Sequence, residues 1–313
     1  MERVDIIIPA YKPDQKFLKL IEKLTHQSVP INRIIVMNTE QKYFDRLVYG
    51  TSFSKDHHKI VVRHLSKREY DHGRTRNQGV RHSDADYFVM ITQDAVPADA
   101  YMVEQLLAQL QNENVAVAYA RQLAEEGSSE EERYTRNFNY PPQSRIKTRD
   151  DLSQLGIKTF FCSNVCAAYR LDLYEESGGF VRHTIFNEDM IYASGAVGAG
   201  YGIAYEAKAK VIHSHNYTNM QQLRRNFDLG VSQAEHPEVF AKVPSEAEGK
   251  RLVTAAFRYL KRKGRLYRFP GFCVQCAFKY AGYRLGKNYR KLPKRWVMAL
   301  TADKDYWKQE EMI

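Results

Sequence analysis

The polar residues that end an apolar run are the first candidates for chemistry in this sequence. The run over residues 87–91 stops abruptly at Thr92-Gln93-Asp94-Ala95. A continuous apolar run ended by polar residues predicts an interior strand of a parallel sheet. Because ligands of open α/β sheets bind just beyond the carboxyl ends of the strands, Asp94 is a carboxylate at such a site. By itself, Asp94 could equally open a turn or cap a helix that starts near Asp99.

Two histidines could share a site with that carboxylate. His213 and His215 follow a late strand-like segment and lie on one face of an extended chain, which fits a shared site or a solvated strand edge. The sequence has neither a Gly-x-Gly-x-x-Gly nor a phosphate-binding Gly-Lys-Ser/Thr loop. A diphosphate bound without such loops usually requires basic residues and a divalent metal. Mg²⁺ or Mn²⁺ accepts few protein ligands when phosphate oxygens supply the rest, so Asp94 with a histidine is a workable set.

A pair of acidic residues opens a later predicted helix. Glu188 and Asp189 follow Asn187, and an acid at this position could simply be favoured by the helix macrodipole. A glycosidase would require both carboxylates to flank one bond. Neighbours on a helix point about 100° apart, so we do not expect this pair to do so.

The elements that position these residues alternate through the first 120 residues. Helical spacing after Asp14, which can cap a helix, and at three later segments separates five strand-like runs. This alternation predicts a parallel, doubly wound sheet. The predicted strands cover residues 4–9, 33–37, 60–65, 87–91 and 115–120, and the later helices cover residues 41–48, 73–81 and 98–110.

The second half has a looser pattern. Residues 121–150 are rich in Glu and contain Pro141-Pro142, which predicts a polar, partly mobile loop. We expect strands over residues 160–169, near 203–205 and near 210–213, and helices over residues 171–176, 187–193 and 221–231.

The positive charge is concentrated at the carboxyl-terminal end. Residues 250–313 carry 17 Lys+Arg and 4 Asp+Glu, whereas residues 1–249 carry 30 and 33. Aromatic and aliphatic residues interleave with these charges, a pattern that favours binding to an anionic membrane surface. Nucleic acid is a competing partner for the same charges and aromatic residues. No recognised nucleic-acid-binding motif supports it, so we expect no nucleic-acid partner. A third possibility is that the apolar faces of this tail pack on the rest of the chain.

Cysteine usage and the amino-terminal sequence favour a cytoplasmic protein. Cys162 and Cys166 fall on one face of a predicted strand, and Cys273 and Cys276 fall in an apolar helical stretch. Buried thiols explain these pairs better than a zinc site does. The chain begins with a strand-like run, so we expect no signal peptide, and no apolar run is long enough to cross a membrane.

Five motifs together resemble family 2 glycosyltransferases with the GT-A fold, and among them most closely the rhamnosyltransferases of bacterial surface polysaccharides. The motifs are DIIIPAY, DHGRTRN, DYFVMITQDAVP, GGF–(x)6–NED and HSHNY–(x)6–RRNFDLG. The resemblance implies an α/β GT-A domain with a mostly parallel, Rossmann-like sheet flanked by helices over residues 1–240. Its nucleotide-binding half would span residues 1–120 and its acceptor half residues 121–240, followed by a basic, aromatic-rich helical extension over residues 241–313.

The resemblance also implies roles for individual residues. Asp94 takes the place of the metal-binding DXD motif, Asp189 matches the catalytic base, and His213 or His215 completes metal or phosphate binding. The DXD is reduced here to Gln93-Asp94-Ala95, and Asn38-Thr39-Glu40 stands where many relatives have Asp. Residues implied to contact the donor are Pro9, Ala10, Tyr11, Glu40, Arg74, Arg76, Asn77, Gln93, Asp94, Arg224 and Arg225.

The implied function is an inverting, Mn²⁺- or Mg²⁺-dependent transfer, in which one base activates an acceptor hydroxyl. The expected donor is dTDP-L-rhamnose and the expected acceptor a lipid-linked glycan, at the inner face of the cell membrane. The alternatives are a transferase that uses a UDP-sugar, a nucleotidyltransferase, and a membrane-bound glycan-binding protein without activity.

Overall fold

The computed structural model describes residues 2–51, 53, 59–241 and 246–310, and this part of the chain forms one sheet with helices on both faces. The strands are β1 Val4–Tyr11, β2 Arg33–Thr39, β3 Ile60–Leu65, β4 Tyr87–Ile91, β5 Val96–Pro97, β6 Val115–Leu123, β7 Arg145–Lys147, β8 Cys166–Arg170 and β9 Gly202–Ile212.

The helices follow the expected alternation in the first half and dominate the end of the chain. They are α1 Gln15–Thr25, α2 Gln41–Val48, α3 His72–Val80, α4 Met102–Leu110, α5 Glu130–Asn139, α6 Leu152–Leu155, α7 Leu171–Glu176, α8 Glu188–Gly198, α9 Asn219–Glu235, α10 Pro237–Phe240, α11 Glu246–Arg262, α12 Phe269–Lys287, α13 Lys294–Leu300 and α14 Lys304–Glu310. Short 3₁₀ segments lie at Arg149–Asp151, Gly156–Phe160, Leu266–Arg268 and Tyr289–Lys291.

The strand order is β3-β2-β1-β4-β8-β6-β9-β5, with β7 also on β9. Strands β1 to β4 pair in parallel as expected. Strand β8 then inserts antiparallel between β4 and β6, which restores the parallel direction for β6 and β9. The carboxyl ends of β4, β6 and β9 and the amino end of β8 therefore lie at the same edge of the sheet.

Side-chain alternation along β1 divides the core into two layers. Ile6 and Ile8 are fully buried on one face, in the cluster that contains α1 and α4. Ile7 is fully buried on the other face, with residues of α3 and α8. Because both faces of the sheet are covered, the central strands are apolar throughout, which is the pattern visible in the sequence.

The prediction of a polar, mobile loop over residues 121–150 was wrong. Strand β6 continues to Leu123, and helix α5 occupies the middle of the segment. The Ser129 side chain accepts a hydrogen bond from the Glu132 N–H, and three glutamates occupy the first helical turn. This cap and the favourable interaction of acids with a helix amino terminus explain why a strongly charged segment folds.

Two strand predictions in the second half were also wrong in detail. The expected strand over residues 160–169 begins only at Cys166, after the 3₁₀ segment Gly156–Phe160 and five residues outside any strand, so Cys162 precedes the strand. Both of these thiols are nevertheless buried, whereas Cys273 and Cys276 are only half-buried. The two short strands expected near residues 203–205 and 210–213 form a single strand, β9, whose register with β6 shifts near Ala120.

The basic tail packs on the preceding domain through helix α12. Its Gly282 and Gly286 face α9 so closely that an added Cβ would lie 2.1 Å from Leu223 O and 2.0 Å from Phe227 O. Farther along, Val297 and Tyr306 join the core cluster of α9. The third of the possibilities given above for the tail is thus observed, and the tail cannot be removed without exposing this core. Within the described residues, no helix is both long and apolar enough to span a membrane.

Candidate functional site

A cleft of ≈ 910 Å³ opens at the edge of the sheet where β4, β6 and β9 end. Strand ends deliver Asp94 and His213 to its wall, and the start of α8 delivers Asp189. The structure therefore brings together the three groups that the sequence placed at separate strand or helix ends. The lining residues used below are Arg76, Asp94, Gln122, Arg136, Asn164, Glu188, Asp189, His213, His215, Tyr217 and Arg225.

Asp94, His213 and His215 form a compact group of potential metal ligands. The Asp94 Oδ2 atom lies 3.6 Å from His213 Nε2 and 3.3 Å from His215 Nε2. The two Nε2 atoms are 3.0 Å apart. Adjacent ligands of a six-coordinate ion with bonds of about 2.1 Å are separated by about 3 Å, so these atoms could occupy one face of its coordination shell. No other group of three such side chains comes together in the part of the chain that the structure describes.

The protonation of this group suits a cation. Burial disfavours ionisation of Asp94, but the two imidazoles outweigh it and hold the pKa of its carboxyl well below the usual range. Burial, together with the neighbouring His213, lowers the pKa of His215 to about 4. At neutral pH the group offers a carboxylate and a neutral imidazole from His215, the forms that bind metal.

Gln122 orients one of the histidines, and we did not single it out from the sequence. Its Oε1 atom lies 3.1 Å from His213 Nδ1, so this nitrogen can donate to it and leave Nε2 directed at Asp94. Its Nε2 donates to Tyr140 Oη at 2.6 Å and to Ser163 Oγ at 3.0 Å, which fixes the carboxamide. Partners of this kind orient metal-binding histidines. A polar residue near the end of an apolar strand was the available signal.

Asp189 is held by backbone donors on the cleft wall. Its Oδ2 accepts the Asn164 N–H at 2.9 Å and its Oδ1 accepts the Met190 N–H at 2.8 Å. Burial and the adjacent Glu188 charge raise the pKa of Asp189 to about 7. A carboxyl with this pKa can take up a proton near neutral pH, as a general base must.

Glu188 has a different partner and a different state. Its Oε1 lies 3.1 Å from Arg76 Nε and accepts a 3.0 Å hydrogen bond from Asn164 Nδ2. Burial opposes ionisation of this carboxyl, but the Arg76 guanidinium outweighs burial and lowers its pKa. Glu188 is therefore ionised and paired with Arg76. The different surroundings of Glu188 and Asp189 shift the pKa values of these two neighbouring carboxyls in opposite directions.

Asn164 joins the two carboxylates and was also absent from the sequence candidates. It is 3% exposed, and its Oδ1 accepts the Tyr169 hydroxyl at 2.7 Å, which fixes its rotamer. The polar Ser163-Asn164 step inside an apolar stretch was the only local signal.

Most donor candidates of the first half lie beside the cleft, whereas Arg76 and Asp94 belong to its wall. Gln93 bridges to the end of β1, because its carboxamide exchanges two 2.9 Å hydrogen bonds with the backbone of Tyr11. The Tyr11 ring is 37% exposed and meets Tyr43 edge-on at 5.9 Å. Glu40 accepts the Lys67 N–H at 2.9 Å. Pro9 and the buried Ala10 belong to β1 itself.

The remaining candidates separate into two groups. Arg225 lines the cleft with its guanidinium 4.9 Å from the Phe186 ring centre and 5.7 Å from that of Tyr217. Arg224 is exposed, and Arg74 donates to Glu69 O at 3.0 Å. The Asn77 carboxamide binds the Phe180 backbone at 2.9 and 3.0 Å, an arrangement that holds the loop before α8. None of these last three residues lines the cleft.

Comparisons with known proteins show which sequences this chain resembles. The model of glycosyl transferase family 2 matches residues 5–178. The chain is 33% identical over 307 residues to the O-antigen chain rhamnosyltransferase RfbN of Salmonella typhimurium, covering 97% of this chain and 96% of that protein. It is 33% identical over 313 residues to WbaN of Salmonella anatum, which carries the same description, covering 98% and 96%.

A solved structure supports the fold. The mannosyltransferase PcManGT from Pyrobaculum calidifontis, determined in complex with GDP-Man and Mn²⁺, superposes with a TM-score of 0.56 at 14% identity. The match covers 99% of this chain and 86% of that one. The GT-A fold expected from the sequence, with its mixed but mostly parallel sheet, is confirmed.

Proposed function

This chain belongs to glycosyltransferase family 2, and we propose that it transfers L-rhamnose from dTDP-L-rhamnose to a lipid-linked glycan during synthesis of a surface polysaccharide. The observation that supports the proposal most is one cleft with a carboxylate–histidine group and a separate carboxyl whose pKa is raised to about 7. The two relatives described as O-antigen chain rhamnosyltransferases, similar along nearly their whole length, support the choice of sugar.

The proposed reaction is a single displacement. An acceptor hydroxyl attacks the anomeric carbon, its proton passes to the Asp189 carboxylate, and the bond to the nucleoside diphosphate breaks. The new bond forms on the opposite face, so the configuration inverts, and one base suffices. Asn164 holds the Asp189 Oδ2 atom in place through its N–H. Arg76 keeps Glu188 ionised, so this neighbour does not compete for the proton.

Asp94, His213 and His215 are the residues proposed to hold a divalent cation, which would neutralise charge on the donor diphosphate. Two imidazole ligands favour Mn²⁺ over Mg²⁺, and Mn²⁺ accompanies the nucleotide sugar in PcManGT. Tyr11 and Glu40 are proposed to contact the base or ribose, because the half-exposed Tyr11 ring is joined through Gln93 to the loop that carries Asp94. Arg225 is proposed to face the diphosphate.

A panel of nucleotide sugars tests this function. We expect dTDP-L-rhamnose to be bound and slowly hydrolysed with Mn²⁺ and neither process to occur after chelation, whereas UDP-sugars should be poorer. If the enzyme prefers a UDP-sugar, only the proposed identity of the donor is wrong, and the proposed sugar transfer is retained. If no nucleotide sugar is bound or turned over with or without the metal, the proposed function is wrong.

We also propose that the enzyme attaches to the anionic, cytoplasmic face of the membrane through the turn between α11 and α12. Residues 261–267, which we call the hairpin tip, are all exposed. They include four cations and the aromatic Tyr267, which is 76% exposed. Each cation near an anionic surface contributes roughly 1 kcal/mol, and exposed apolar side chains add a part that salt does not remove.

Sedimentation with anionic vesicles tests this attachment without disturbing the packed tail. The double variant Lys261→Gln/Lys263→Gln should reduce vesicle binding roughly 30-fold, since it removes two cations of roughly 1 kcal/mol each. Lys19→Gln/Lys23→Gln, which removes two exposed cations from α1, is the matched control and should have little effect. Equal losses in both variants, or binding that ignores lipid charge, would contradict attachment through the hairpin tip.

A further inference from the structure

We propose that a side chamber of the cleft binds a phosphate group and that Lys279, from the basic tail, is one of its ligands. The chamber has a volume of ≈ 200 Å³ and lies between α5, α9 and α12. His215, Tyr217 and Arg225 belong to the walls of both the chamber and the cleft. One water occupies about 30 Å³, so the chamber has ample room for a phosphate group.

Cations dominate the chamber wall. Arg136 comes from α5, Arg225 from α9 and Lys279 from α12. Glu132 is the one acidic residue of this wall, and it is engaged by Arg136 at 2.7 Å. The chamber therefore has a net positive charge of about two, which an anion would balance.

Lys279 is the least satisfied of the three cations. Arg136 is bound to Glu132 and to Gln122, and Arg225 lies over two aromatic rings. The half-buried ammonium of Lys279 makes no hydrogen bond or ion pair with a side chain or carbonyl among the residues described. Burial lowers the pKa of Lys279 by more than the nearby Cys276 and Glu132 raise it. A partly buried, unpaired ammonium is costly unless a ligand supplies the counter-charge.

The phosphate could come from either substrate, and this part of the inference rests on the proposed function. The donor carries a diphosphate, for which the group formed by Asp94, His213 and His215 is already the proposed site. A lipid-linked acceptor carries phosphate next to its lipid. The helix that supplies Lys279 also leads from the exposed hairpin tip, so the chamber is suited to the phosphate of an acceptor that extends from a membrane surface.

Binding of inorganic pyrophosphate in the presence of chelator tests the chamber independently of sugar transfer. Calorimetry should show at least about 10-fold weaker binding to Lys279→Gln, as expected for loss of one charge-assisted hydrogen bond. Lys291→Gln, which removes an exposed cation from the same tail, should bind like the parent protein. Arg225→Gln removes a second cation of the chamber, on α9 instead of α12, and should weaken pyrophosphate binding similarly. With two variants, the poor folding of one does not decide the result.

Binding of dTDP with Mn²⁺ then identifies the source of the phosphate. Unchanged dTDP affinity in Lys279→Gln would assign the chamber to the acceptor, whereas a comparable loss would assign it to the donor. If folded Lys279→Gln and Arg225→Gln bind pyrophosphate as the Lys291→Gln control does, the chamber is not a phosphate site. The remaining outcome is that Lys279→Gln and Arg225→Gln lose pyrophosphate binding while the parent protein turns over no nucleotide sugar. That outcome would support the phosphate chamber and contradict only the proposed function.

Discussion

Replacement of Asp189 by Asn is expected to slow sugar transfer about 10²–10⁴-fold while donor affinity stays nearly unchanged. The substitution keeps the size of the side chain and an oxygen that can accept the Asn164 N–H. It removes the group that takes the hydroxyl proton, together with one acceptor for a neighbouring backbone N–H, that of Met190. Single-turnover rates and equilibrium binding of the nucleotide sugar, measured on the same preparation, separate these two effects.

The pH dependence gives this prediction a sign. The base must be ionised to accept a proton, and the pKa of Asp189 is raised to about 7. The rate of transfer should therefore fall as the pH drops below about 7, approaching tenfold per pH unit. His215 has a pKa lowered to about 4, so its protonation lies well below this range. The residual activity of Asp189→Asn should lack the acid limb near pH 7.

Two results would contradict the role of Asp189 as base. One is an acid limb that persists unchanged in Asp189→Asn. The other is a loss of donor affinity that accounts for the whole loss of rate, because a residue that acts only on the acceptor hydroxyl should not control donor binding.

The second large effect is expected at Asp94. Asp94→Asn removes the only carboxylate of the ligand group and should abolish the Mn²⁺-dependent part of donor binding. Gln122→Met leaves the three ligands in place and should weaken Mn²⁺ affinity about 10–100-fold, the usual cost of losing a partner that orients a ligand. Calorimetric titration with Mn²⁺, before and after addition of dTDP, compares the Mn²⁺ affinities of the two variants.

A matched carboxylate controls for charge and folding in this experiment. Asp99 lies five positions from Asp94 and accepts the Tyr101 N–H at 2.9 Å, outside the cleft wall. Asp99→Asn should bind Mn²⁺ and dTDP like the parent protein. If Asp94→Asn retains Mn²⁺-dependent dTDP binding, the proposed metal site is misplaced.

Local sequence patterns were sufficient for the first half of the fold and for the residues at strand ends. The apolar run over residues 87–91 coincides with β4, and α2 and β3 have the predicted bounds. Hydrophobic periodicity is a local property, so strands with buried faces can be recognised without their neighbours. The same reasoning placed Asp94 after a strand of the parallel sheet and His213 after a late strand, and the structure brings them together.

The supporting residues depended on strand order, which no local pattern contains. Gln122 and Asn164 reach the cleft because β8 runs antiparallel between β4 and β6, so its amino end meets their carboxyl ends. The sequence likewise identified a basic tail but not its inward face. Lys279 reaches the wall beside His215 because Gly282 and Gly286 let α12 approach α9 at backbone contact. Charge and hydrophobic periodicity can be read directly from the sequence, whereas contacts between distant segments depend on how their surfaces pack.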